Sequence, residues 1–276
     1  MKSNKWKFLL TGVVTLTLLT ACTKASSQPS TRSNTAQTTA TSTSNSKTDS
    51  SKYFTDKDYD TSYDESTAST VKLSGSSATV SGDGITVSGS TVTISKAGTY
   101  VISGESNGVQ IKVEASDSDD VHIVLKGVTM TNTNAPISAT KAGHVYLTLA
   151  DGTTNTLSDS SSNSDEDVDA VIFSKGDLTI NGSGTLAIDA KKNNGIKAND
   201  TLHITGGTYK ITAVGDAFNV NDELNITGTT MTIDADEDAV KVDNDEDTSV
   251  GSMYLSDNTI TISAGDDGIH ASGDLV

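Results

Sequence analysis

The chain is poor in the features that most folds of its length rely on. It has one cysteine, two prolines and one tryptophan in 276 residues, and aromatic side chains make up only 4%. A lone cysteine excludes internal disulfides, and so few rings exclude a core built on large aromatic side chains. Arg32 is the only arginine, and 19 Lys and Arg stand against 36 Asp and Glu, a net charge of −17. That balance excludes nucleic acid and anionic membrane surfaces as partners, because phosphate contacts need clustered Lys and Arg. Helical periodicity is nearly absent.

What is present begins at the N-terminus. Residues 1–21 have a basic start (Lys2, Lys5, Lys7), an apolar run from Phe8 to Leu19 and a small residue before Cys22, the pattern of a secretory signal peptide. The run is too short to span a bilayer comfortably. The tetrapeptide Leu19, Thr20, Ala21, Cys22 looks like a bacterial lipobox, which implies cleavage before Cys22 and lipidation of its sulfur. Residues 22–65 are Ser, Thr, Asn, Gln and Asp with almost no aliphatic side chains, so a disordered tether is expected. A flexible chain of that kind reaches about 35 Å end to end, enough to hold residues 66–276 clear of a lipid surface. The address expected is the outer face of a bacterial membrane, with the lipid anchor as the one membrane contact. The exposed aromatic candidates, Tyr53, Phe54, Tyr59 and Tyr63, fall in this tether.

The rest reads as one all-β domain. Segments such as 91–104, 109–115, 121–130 and 145–150 alternate apolar and polar residues with β-branched enrichment, the period-two strand pattern. A unit then recurs: DAVI at 169–172, NGIK at 194–197, DAFN at 216–219, DAVK at 238–241 and DGIH at 267–270, at spacings of 25, 22, 22 and 29. Two further apolar triplets follow each of the first four copies, giving three short strands per repeat. Three strands in about 22 residues match one coil of a parallel β-solenoid, whose rungs bury their apolar faces only by stacking. Ile196, Phe218, Val240 and Ile269 are then expected to form one interior ladder. A β-sandwich is the alternative architecture, but it does not require the strict triplet order after residue 168. The sequence stops mid-rung at Leu275 and Val276, so either further rungs follow or the last is uncapped. A monomer is expected.

The order ISKAGTYVISG, VHIVLKGVTM, VYLTLADGTTNTLSD, AVIFSKGDLTINGSGTLAIDA, NNGIKANDTLHITGG and AGDDGIHASGDLV resembles a family of secreted bacterial carbohydrate-binding proteins, over about residues 85–276. The resemblance implies a right-handed parallel β-helix like that of polysaccharide lyases, bound calcium, and association with cellulose and pectin-type polymers. The family's usual GDGI turn reads GDAF at 215–218 and EDAV at 237–240, which removes glycine's close backbone approach at those two turns.

Carboxylates concentrate at 164–169, 234–238, 243–247 and 265–267. Asp234, Asp236 and Asp238 share one edge if extended, as do Asp243, Asp245 and Asp247, while Asp216, Asp238 and Asp267 stack in neighbouring rungs, with Asp266 alongside. Close carboxylates repel unless a hard cation neutralises them, and Ca²⁺ accepts six to eight oxygens in flexible geometry. These residues are therefore the calcium-ligand candidates, against the plainer reading of solvated turns. The 243–247 run lacks the later Gly and Glu of an EF-hand loop. Zinc lacks ligands, since His122, His144, His203 and His270 are scattered.

Two or three residues on, Lys197, Asn219, Lys241 and His270 form a second ladder. Such a stripe suits the carboxylates and hydroxyls of an acidic polysaccharide, with calcium as a bridge; simple solvation of a strand edge is the alternative. A calcium-dependent lyase on this fold needs a basic proton acceptor. With Arg32 in the tether only Lys197 or Lys241 is placed for that, beside carboxylates that raise a lysine's pKa. Binding is therefore favoured over catalysis, with an adhesin without glycan activity as a further alternative.

Overall fold

Residues 39–41, 50–244 and 246–276 are described by the computed structural model. Apolar and polar side chains alternate along its strands, so Thr208–Ala213 and Thr230–Ala235 each bury every second residue, as a pleated strand with one covered face should. No α-helix occurs among the described residues.

The strands after residue 168 fall into three columns. The first holds Ala170–Ser174, Asn194–Ala198, Phe218–Val220, Val240–Val242 and His270–Ala271, each paired in parallel with the next. The second holds Leu178–Gly182, Thr201–Thr205, Glu223–Thr227 and Ser252–Ser256. The third holds Thr185–Ala190, Thr208–Ala213, Thr230–Ala235 and Thr259–Ala264, again parallel throughout. The second and third columns join in one sheet through the long strand Asp120–Thr131, whose first half pairs with His144–Leu149 and whose second half pairs with Thr154–Ser158, while Gly98–Asn107 pairs along its other edge. At the other end of the stack the pattern changes to two antiparallel hairpins, Ser69–Gly75 with Ser77–Ser81 and Ile85–Ser88 with Thr91–Ile94. Thr39–Thr41 adds an antiparallel strand to the outer edge of Thr259–Ala264, pairing backbone groups that an edge strand leaves free.

Parallel pairing without register slip stacks like on like. Leu178, Leu202, Leu224 and Met253 form one interior ladder, and Ile188, Ile211, Ile233 and Ile262 another. The buried members join one continuous cluster from Val71 to Ile260. Each fully buried Leu or Ile is worth about 1.5–3 kcal/mol, realised only when the neighbouring strand is in place.

Two expectations are corrected. Ile196, Phe218 and Val240 are buried and in register, but Ile269 is 39% exposed, because no further described strand stacks on it. Residues 50–65, read as tether, instead fold back along the outer face of the second column, and Phe54 is 5% exposed there rather than free.

Candidate functional site

The first residue of each repeat has a structural task. Asn194 Oδ1 accepts the backbone N–H of Asp216 at 3.0 Å, Asp216 Oδ1 that of Asp238 at 2.9 Å, and Asp238 Oδ1 that of Asp267 at 2.8 Å. Asp169 heads the series, accepting from the side-chain amides of Asn193 and Asn194 at 2.8 and 3.2 Å. The recurring Asp or Asn is therefore a side-chain ladder that satisfies turn N–H groups rung by rung. Asp216, buried, also accepts from the Asn219 amide at 2.6 Å. Both its oxygens therefore accept a hydrogen bond within the protein, and Asp216 is not part of the carboxylate group described next.

Among the described residues the ladder ends at Asp267. Asp267 is exposed, and its one polar side-chain contact there is His270 Nδ1 at 3.5 Å. Asp238, Asp266 and Asp267 each bring one carboxylate oxygen within 4.8 Å of the others, the one such group among the described residues. Burial raises the Asp238 carboxyl above the ordinary range; the Asp267 N–H opposes that, and neighbouring Asp216 and Asp266 add to it. Such a trio offers hard oxygen donors of the kind calcium takes.

The remaining carboxylate candidates are not gathered with it. Asp234 is exposed on the third column between Thr212 and Ser263, and Asp236 is exposed in the turn after it. Asp243 lies beyond the end of the first-column strand, and Asp247 caps its own turn by accepting from Ser249 N–H and hydroxyl at 2.9 and 2.6 Å. Asp245 and Cys22 lie outside the described residues.

Lys197, Asn219, Lys241 and His270 occupy one register position of the first column, so each is the direct neighbour of the next. Lys197 sits 3.0 Å from Asp169, and Asn219 is held by Asp216. The result is a polar stripe of three basic side chains and one amide, with the carboxylate trio at its His270 end.

A second polar ladder escaped the sequence reading. His122, Tyr146, Thr179, His203, Asn225 and Tyr254 share one register position on the second column. Residues 53–60 lie over it. Tyr53 stacks on Tyr254 with centroids 3.9 Å apart, and its carbonyl accepts from the Asn225 amide at 2.9 Å. The Asp58 carboxylate accepts from the Thr55 N–H at 2.8 Å and the Thr179 hydroxyl at 2.7 Å, with His203 Nδ1 at 3.1 Å. Burial pushes the Asp58 carboxyl up, but the contacts from His203, Thr55 and Thr179 outweigh it and hold the group well below the usual carboxylate range. Burial lowers His122 and His144. Aligning the strand that follows each repeat would have shown these outward positions.

Three comparisons bear on this arrangement. A family model described as carbohydrate-binding domain-containing protein matches residues 88–276. The chain belongs to that family. A carbohydrate-binding domain-containing protein of Acetivibrio thermocellus is 40% identical over 125 residues, 43% of this chain, so the match spans 44% of that relative's length. A solved structure, a polysaccharide lyase-like protein from C. thermocellum as its gadolinium derivative, is 30% identical with a TM-score of 0.69 and covers 75% of this chain and 96% of that one. The carbohydrate-binding assignment thus falls on the repeat region that carries both polar ladders.

Proposed function

We propose that this protein is a polysaccharide-binding module: a right-handed parallel β-helix, lipid-anchored through Cys22, that lays an extended acidic glycan along Lys197, Asn219, Lys241 and His270 with calcium at Asp238, Asp266 and Asp267. One observation carries the reading. The four stripe residues share a single parallel register and end beside the carboxylate trio, so a polymer crossing the strands meets one cationic or amide group per rung and then a cation seat. Uronate carboxylates pair with the lysines by charge-assisted hydrogen bonds, and an oxygen-seeking cation bridges sugar and protein. Family membership and the lyase-like neighbour support the carbohydrate part. That neighbour's gadolinium, a hard oxygen-seeking ion, is in keeping with the calcium part. The three-column stack and the general right-handedness of parallel crossovers support the helix.

A lyase is the second reading. Its base would have to be Lys197 or Lys241, and Lys197 is paired with Asp169 at 3.0 Å, a contact that opposes proton abstraction. Incubation with polygalacturonate and calcium tests the choice: the module leaves the absorbance of unsaturated uronides flat, whereas steady growth would make the protein an enzyme.

A further inference from the structure

We propose that the outer face of the second column is a second glycan groove, suited to a neutral hydroxyl-rich polysaccharide, and that residues 53–60 occupy it until a glycan chain displaces them; the proposal rests on the carbohydrate-binding reading above. Three features of that face lead to it.

First, the ladder His122, Tyr146, Thr179, His203, Asn225 and Tyr254 presents one ring, hydroxyl or amide per strand at the strand spacing of about 4.8 Å, in a line crossing the strands. Residues 53–60 follow that line, touching Tyr254 through Tyr53, His203 through Phe54 and Asp58, and Tyr146 through Lys57. An extended polymer would take the same path.

Second, what is covered is polar. Thr179 and Asn181 are fully buried and Asn225 is 1% exposed, although a segment whose role was to close a core would cover aliphatic side chains. The segment meets them with the groups a sugar chain offers. The carbonyl of Asp58 accepts from Asn181 Nδ2 at 3.2 Å and Thr205 Oγ1 at 2.6 Å, and that of Asp60 accepts from Asn181 at 3.0 Å. The stacked face of Tyr254 holds a flat ring, as it would hold the C–H face of a pyranose.

Third, the fit is incomplete. Asn225 Oδ1 is buried without a hydrogen-bond partner, and a buried acceptor left unpaired loses the hydrogen bond that water would have given it. Beside it an open cleft of about 250 Å³ is lined by Tyr53, His144, Asp177, His203 and Glu223. The carboxylates of Asp177 and Glu223, set against the single ammonium of Lys52 in the same lining, accept sugar hydroxyls well and disfavour a polyanion, which selects a neutral chain here and leaves the acidic one to the first column.

The test uses the full chain and hydroxyethylcellulose as the soluble probe. On binding, the amides of 53–60 in the unaltered protein should lose hydrogen-exchange protection while those of the third column keep theirs. Loosening the segment with Asp58→Asn and Thr55→Ala should tighten binding about tenfold, since occlusion raises the apparent Kd by the reciprocal of the open fraction. Tyr146→Ala or Tyr254→Ala in that background should abolish the gain. Binding that leaves 53–60 protected, or that depends on Lys197 and Lys241 alone, makes the segment a permanent strap and overturns the proposal while the carbohydrate reading stands. No retention of the neutral probe beside retention of polygalacturonate does the same, and no retention of any glycan removes both.

Discussion

Asp216 Oδ1 accepts the backbone N–H of Asp238 at 2.9 Å, one rung further along the stack. The residue that marks each repeat in the sequence therefore joins the rungs through its side chain as well as through strand pairing. Asp216→Ala should leave a buried N–H without a partner and cost about 2 kcal/mol. Asp216→Asn should cost less than half of that, because Asn194 already performs the same task with an amide oxygen. Denaturant unfolding of the two variants measures the difference, and equal losses would show that the ladder contributes nothing.

Much of this was legible in advance. The recurrence of NGIK, DAFN and DAVK at 22-residue spacing, each followed by two apolar triplets, carried the parallel three-strand unit, because like rungs must repeat their apolar positions. The stripe from Lys197 to His270 followed from the same arithmetic. The task of Asp216 did not, since a stacked carboxylate looks the same in sequence whether it faces a cation or a backbone N–H. Ile269 departs from the repeat pattern because burial depends on a following rung, not on the residue's place in the repeat. The segment 50–65 packs contrary to its local composition because Phe54 and Asp58 gain partners about 120 to 200 residues away, beyond any local pattern.

Phe218→Ala and Ile269→Ala separate the covered rungs from the last described one. Phe218 is fully buried, so its truncation should cost about 3–5 kcal/mol, whereas Ile269→Ala should cost under about 1 kcal/mol. Thermal melts compare them directly, and a large loss at Ile269 would mean that it is covered in solution.

Acid should open the segment over the second column before it unfolds the stack. His122 and His144 are lowered by burial, so their contribution is present above the unfolded value of about 6.5 and declines as pH falls below it. Asp58 is held below the unfolded value of about 3.9, so its contribution persists further and is lost as pH falls through the folded value. Exchange of the 53–60 amides, corrected for intrinsic rates, should speed up from pH 7 to 5 and more steeply below pH 4. A flat profile to pH 3 would contradict these assignments.

Calcium should stabilise the end of the stack. Binding to the folded state alone adds RT ln(1 + [L]/Kd), about 2.7 kcal/mol at a hundredfold excess over Kd, and magnesium should substitute poorly because it demands a tighter octahedron. Asp266→Asn with Asp267→Asn should abolish the gain, whereas Asp234→Asn with Asp236→Asn should leave it intact. Identical melts in calcium, magnesium and EDTA would leave the trio as a solvated turn.

The most direct test is affinity electrophoresis through gels containing polygalacturonate, run with calcium and with EDTA on the unaltered protein and on Lys197→Ala with Lys241→Ala. The account predicts strong retardation of the unaltered protein in calcium, release in EDTA, and at least tenfold weaker retardation of the double variant in calcium. Retardation that survives both EDTA and the loss of the two lysines would contradict it and move acidic glycan binding off the first column.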